Sequence, residues 1–172
     1  YGFYDSNPLS YAHHLYLNNT EITALTIPNT VTYIKAHAFY GCTAFTSVTI
    51  PASVTSIGSG AFIECTGLTR VITPSLNAWL NIHFYSADAN PLSYAHSLYV
   101  NNTKITTPNI PDGCQIIKPY AFSGADFTSV TVPSSLVNVG EGAFINCNSL
   151  TKVTVADLPS WCAIEFANAA AN

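Results

Sequence analysis

The 23 residues from Val48 to Arg70 repeat the 23 before them, Leu25 to Ser47, without a gap and with eleven positions identical. Thr49, Ile50, Pro51, Val54, Ile57, Ala61, Phe62 and Cys65 are among the shared residues. A fixed period of this length limits the fold severely. A unit so short cannot close a core of its own, so its apolar face must stack on the units before and after it. The expected product is a solenoid.

A longer period lies over the short one. Residues 7–23 return at 90–106 with 14 of 17 positions identical, and 48–71 return at 130–153 with 13 of 24. Trp79-x-x-Ile82-x-Phe84 comes back as Trp161-x-x-Ile164-x-Phe166. The chain, 1–172, therefore reads as one solenoid holding two copies of a super-repeat of about 83 residues, near 7–89 and 90–172. Asn172 aligns with Asn90, and the first residue is not Met. The sequence thus reads as part of a longer one, with Pro-Leu expected after Asn172 and a signal peptide upstream.

Within a coil the physics is readable. Val48 and Ile50 face inward from a short β-branched strand and Thr49 faces out. Pro51 ends the strand by removing a ladder donor. Val54 and Ile57 point to the core from a second extended piece, and Ala61, Phe62 and Cys65 tuck in on one helical or 3₁₀ turn. Stacking would align the strands in a parallel sheet at about 4.8 Å spacing. Phe39 over Phe62, and Phe122 over Phe144, would form a buried column. Thr26, Thr49, Thr131 and Thr154 would form a hydroxyl ladder on the open face. Between residues 71 and 107 the period stretches. Leu76, Trp79, Leu80 and Phe84 have helical spacing behind Ser75 as N-cap. Asn18-Asn19 and Asn101-Asn102 suit tight hairpin turns, and the second hairpin is expected to project from one modified coil.

Composition excludes several classes. Only 8% of residues are charged, against roughly 25% in an average domain, and the net charge is −4. Five scattered Lys and Arg give no footprint for nucleic acid and no polybasic patch for acidic lipid. No apolar run approaches the roughly 18 residues of a membrane span. Cys42, Cys65 and Cys147 share one repeat position, while Cys114 and Cys162 fall where other coils have Val31 and Leu80. With no C-x-x-C spacing, they read as reduced core thiols rather than disulfides or a metal site.

Residues able to carry chemistry do not gather. His13 and His14 with Tyr11 and Tyr16 could hold a ligand, but the second copy has Ser97 in place of His14, so loop packing is the better reading. Gly58-Ser59-Gly60 has Gly140-Glu141-Gly142 as its sister, and a carboxylate there would repel phosphate. It reads as a turn. No cofactor motif is visible. The surface tyrosines Tyr16, Tyr33, Tyr85, Tyr99 and Tyr120 are too many for the core, and exposed Tyr suits recognition.

The pattern L-T-x-V-T-I-P-x-S-V-T-x-I-G-x-x-A-F-x-x-C, carried by Leu25–Ser47, Val48–Arg70, Pro108–Ser129 and Val130–Lys152, resembles the BspA-type leucine-rich repeat of bacterial surface proteins. The coil at Pro108 departs from it, with Cys114, Pro119 and Ala125 in place of the usual residues. The resemblance implies a leucine-rich-repeat solenoid, mainly parallel β with short helical turns. It also implies a secreted or cell-surface location and adhesion to matrix or plasma proteins such as fibronectin and fibrinogen. The expected role is thus a non-enzymatic binding module, its partner a protein before a glycan. Tyr16, Tyr33, Thr26, Thr49, Tyr99, Tyr120, Thr131 and Thr154 are the candidate contact residues. The alternatives are a spacer, with polar faces and buried aromatics, or part of a glycan-processing enzyme, with two carboxylates in one cleft.

Overall fold

The computed structural model describes residues 6–167; Asn172, expected to begin a further super-repeat, lies outside them. Helix α1 (Leu9–Ala12) leads into a hairpin of β1 (Tyr16–Leu17) and β2 (Thr20–Glu21). Strands β3 (Ala24–Thr26) and β4 (Tyr33–Ile34) form the first regular coil, and β5 (Ser47–Thr49) and β6 (Ser56–Ile57) the second. The third carries β7 (Arg70–Thr73), helix α2 (Leu76–Leu80) and β8 (His83–Phe84). Helix α3 (Leu92–Ala95) and the hairpin β9 (Leu98–Val100)–β10 (Thr103–Ile105) restate the opening. Then come β11 (Ile116–Ile117), β12 (Ser129–Val132) and β13 (Asn138–Val139). Last are β14 (Lys152–Val155), α4 (Leu158–Cys162) and β15 (Glu165–Phe166).

Stacking produces two parallel sheets on different sides of the core in each half. In the first half these are β9-β7-β5-β3, with β10 added antiparallel to β9, and β4-β6-β8. In the second they are β12-β14 and β11-β13-β15. The inward set follows the repeat: Val48, Ile50, Ile57, Phe62 and Cys65 are completely buried. Phe39 stacks on Phe62 with centroids 5.3 Å apart, and Phe122 lies 5.4 Å from Phe144, close to the strand spacing of stacked coils. Gly58 permits that approach, because a Cβ there would sit 2.5 Å from the Ala36 nitrogen of the coil before. The Ala-Phe segments close by i to i+3 bonds such as Ala61 N to Gly58 O at 3.1 Å; they are turns rather than helices.

Both hairpins turn on paired asparagines with left-handed backbone, φ 50° and 63° at Asn18 and Asn19 and 48° and 65° at Asn101 and Asn102. This is the type I′ geometry that matches strand twist. The second hairpin does not simply project. Its first strand, β9, completes the main sheet by pairing with β7. The joint between the halves is made by side chains. Trp79 Nε1 donates to Ala121 O at 2.8 Å, Asn90 Nδ2 to Tyr120 O at 2.7 Å, and His96 Nδ1 contacts Gly124 O at 2.7 Å. The first copy makes the same contacts from Asn7 to His37 O and from His13 to Gly41 O.

Three expectations are corrected. The row holding Thr26 and Thr49 continues into Ile72 and Tyr99, while Thr131 and Thr154 pair in a separate sheet, so no single hydroxyl ladder exists. Bonded threonines lie three positions earlier, at the strand entrances. Thr46 Oγ1 donates to Thr23 O and Thr69 Oγ1 to Thr46 O, both at 3.1 Å, and Thr151 Oγ1 to Thr128 O at 3.2 Å. Ser75 does cap α2, accepting from Ala78 N at 3.1 Å, but the helix ends at Leu80 and Phe84 belongs to a strand. Finally, Cys162 is exposed and Cys114 and Cys147 are half-buried, whereas Cys42 and Cys65 are core thiols. Leu80, the counterpart of Cys162, is buried; among the described residues no later coil covers Cys162.

Candidate functional site

Among the described residues the five-stranded sheet has the most strands, and one of its faces is open. Pairing puts Thr26, Thr49, Ile72 and Tyr99 in one outward row and Ala24, Ser47 and Arg70 in the next. The Arg70 guanidinium stands 5.0 Å over the Tyr99 ring, a cation–π contact that holds both side chains flat on the sheet. Lys104, paired with Tyr99 across the hairpin, donates to Asp126 at 2.6 Å. Below the row, a groove of about 540 Å³ runs past Pro51, Ile72 and Pro74 to the Asn101-Asn102 turn. The face is therefore sparsely charged, hydroxyl-rich and partly apolar, with one basic-aromatic pair. Such a surface can bury a partner's apolar side chains and hydrogen-bond its backbone.

The other candidates lie elsewhere. Thr131 and Thr154 are exposed neighbours in the second half. Tyr16 stands exposed on the first hairpin, whose partner residue Glu21 accepts a hydrogen bond from His14. Tyr33 is on the β4-β6-β8 sheet. Tyr120 has left-handed backbone with φ 59°, and its hydroxyl donates to Glu141 at 2.8 Å. That bond to a carboxylate, with a smaller contribution from burial, raises the Tyr120 pKa. The eight candidates therefore do not form one patch: Thr26, Thr49 and Tyr99 share a face, Thr131 and Thr154 share another, and the remaining tyrosines are apart.

A second aromatic cluster escaped the sequence reading. Tyr33 and Tyr85 approach to 6.4 Å between centroids, His83 meets Tyr85 edge-on at 4.6 Å, and Lys35 Nζ is 5.0 Å from the Tyr33 ring. Tyr33 and Lys35 belong to the first coil, His83 and Tyr85 to the third. They meet because the coil between presents Ser56 and Gly58, too small to hold the rings apart. The pair Ser56 and Gly58 was the available signal.

Acidic groups are dispersed. The groove by the hairpin has none, and three others contain one each: Asp112, Asp126 and Glu21. Among the described residues no cluster of three His, Cys, Asp or Glu could hold a metal, and no helix is long and apolar enough to cross a membrane. Burial alone pushes the Cys42 thiol to about 11. It raises Cys65 to about 12 and Cys147 to about 11, with smaller local contributions. These thiols are held neutral, the reverse of a nucleophile's requirement.

The family model described as BspA type leucine rich repeat region matches in six copies over residues 12–90 and 93–166. No curated protein matches the chain. Among solved structures, a leucine rich cell surface protein from Faecalibacterium prausnitzii is 28% identical with a TM-score of 0.46, covering 85% of this chain and 35% of that one. A T. pallidum leucine rich repeat protein is 19% identical with a TM-score of 0.44, covering 84% and 73%. One from Bacteroides ovatus is 22% identical with a TM-score of 0.40, covering 87% and 45%. The chain thus spans about a third of the length of the first of these.

Proposed function

The chain belongs to the BspA-type leucine-rich-repeat family of bacterial surface proteins, and from that premise we propose that it is a non-enzymatic adhesion module of the cell exterior. It binds an extracellular protein, of the kind represented by fibronectin or fibrinogen, through the open face of its first-half sheet. The observation that carries this reading is the row Thr26–Thr49–Ile72–Tyr99 with Arg70 laid over Tyr99. It is a surface combining a half-buried tyrosine and an arginine, residue types enriched at recognition hot spots, with a half-buried isoleucine between the threonines and the tyrosine. The low charge favours a protein partner over an acidic polymer.

The spacer reading has one observation in its favour. The side-chain bonds at Asn7 and His13 recur at Asn90 and His96, a joint suited to regular extension. The test is biolayer interferometry of the chain against immobilised fibronectin and fibrinogen, with a glycan array in parallel. Tyr99→Ala and Ile72→Glu should each weaken protein binding about tenfold or more, the size of a hot-spot loss. Binding to glycans alone would replace the protein partner, and binding to neither leaves the spacer role.

A further inference from the structure

The second sheet of the first half carries a cluster that the protein-binding face leaves unused. Pairing of β4, β6 and β8 puts Tyr33, Ser56 and His83 in one outward row. Lys35 and Tyr85 lie one residue past the buried Ile34 and Phe84, so they return to the outer side, where both are exposed. Tyr33 and Tyr85 are rooted two strands apart, at least about 9–10 Å by strand spacing. Their ring centroids are nonetheless 6.4 Å apart, with the planes tilted by 45°. Both rings therefore lean over the small Ser56 between them. His83 meets Tyr85 edge-on at 4.6 Å, and Lys35 Nζ stands 5.0 Å from the centre of the Tyr33 ring.

The openness belongs to these positions within an array. Tyr85 is 57% exposed although further coils follow it, and Ile116, the counterpart of Tyr33, is 55% exposed although β8 lies in the coil before it. Stacking does not ask for the rings either. The second half has Ile116, Asn138, Glu165 and Ala167 in place of Tyr33, Ser56, His83 and Tyr85, and its sheet forms all the same.

Two ring faces with hydroxyls at their tips suit a six-membered sugar ring. Its C–H face meets the electron-rich face of an aromatic ring, while its hydroxyls stay in water or bond at the edge. A protein anchor would instead need a pocket closed off from water, and no aliphatic side chain stands among these outward residues to close one. Charge selects the kind of sugar. Lys35 is exposed, and the outward residues Tyr33, Ser56, His83 and Tyr85 bring no carboxylate to neutralise it. A hexuronic acid complements that arrangement, because its carboxylate projects in the plane of the ring and leaves the C–H face free. We propose that this cluster binds a hexuronic-acid residue of an extracellular glycan, its ring laid on Tyr85 beside Tyr33 and its carboxylate on Lys35. One ammonium answers one carboxylate at a time, so the site differs from the polybasic surface that a densely charged polyanion requires.

Isothermal titration calorimetry of the whole chain at low salt tests this. The probes are an unsulfated hyaluronan tetrasaccharide and a galacturonate tetrasaccharide, each also with its carboxylates reduced to alcohols. The expected result is binding of at least one uronate probe, weakened about threefold or more by reduction of its carboxylates. Tyr85→Ala should weaken that binding about tenfold, the worth of one stacking contact, and Tyr85→Trp should retain it. Lys35→Gln should bind the intact and reduced probes alike. Both positions are exposed, and circular dichroism checks that the variants stay folded. Failure of both uronate probes to bind at millimolar concentration overturns the proposal. So does equal binding of intact and reduced probes by the wild-type chain, or binding that survives Tyr85→Ala undiminished.

Discussion

Replacing Phe62 by Ala tests the stacked core most directly. The ring is completely buried, lies on Phe39 at 5.3 Å and 28°, and is walled by coils on both sides. Truncation removes the transfer energy of the ring and leaves a cavity that two sets of backbone ladders hold open, so the loss should fall at about 3–5 kcal/mol. Phe144 occupies the equivalent place in the second half, 5.4 Å from Phe122, but is half-buried, with no later coil over it among the described residues. Phe144→Ala creates no closed cavity and forfeits only part of the ring's transfer term, so it should cost under about 2 kcal/mol. Urea unfolding followed by circular dichroism measures both. Trp79 and Trp161 fluorescence reports whether the halves separate, as nearest-neighbour coupling in a repeat array allows. Phe62→Ala costing no more than Phe144→Ala would refute a column in which neighbours on both sides supply the stability.

Three further outcomes follow from the packing of the same coils. Gly67→Ala would put a Cβ 2.0 Å from Thr43 O, and thermal melting should register a loss of about 3 kcal/mol, at the upper end of overpacking costs. Timed alkylation read by mass spectrometry should modify exposed Cys162 first and Cys42 and Cys65 only on unfolding. An unfolded thiol ionises near 9.0, while folded Cys65 resists to about 12. Its stabilising contribution is therefore intact below pH 9 and falls as pH climbs from 9 toward 12. Cys65→Val should flatten that decline in urea titrations at alkaline pH.

Inward positions were legible because each packs on its own copies. Val48, Ile57, Phe62 and Cys65 keep their character from coil to coil, and all are buried. The errors arose where period and direction part company. Leu80 and Phe84 are spaced as on a helix. Yet His83 N and Tyr85 N donate to Thr55 O and Ile57 O of the preceding coil, and satisfying that ladder takes precedence over one more helical turn. The threonines posed a different problem. Thr49 and Thr46 recur equally well, but of the two it is Thr46 whose hydroxyl reaches a carbonyl of the previous coil. Tyr33 and Tyr85 meet across a coil, so no column comparison could pair them.

The same reasoning explains why function was harder to read than fold. A solenoid constrains what faces inward and leaves the outward row free, provided the strand still forms. In this chain the outward row runs Thr26, Thr49, Ile72, Tyr99: the first two follow the repeat and the last two do not. Those two enter with the stretched coil, which also supplies Arg70 over Tyr99 and the Asn101-Asn102 turn at the groove. Stacking alone would be served by two more threonines at those places. Their replacement by an aliphatic and an aromatic side chain, both half-buried and side by side, gives the face a local identity that the regular coils lack. Recognition should accordingly be lost through Ile72 and Tyr99 while Thr26 and Thr49 tolerate exchange for Ser.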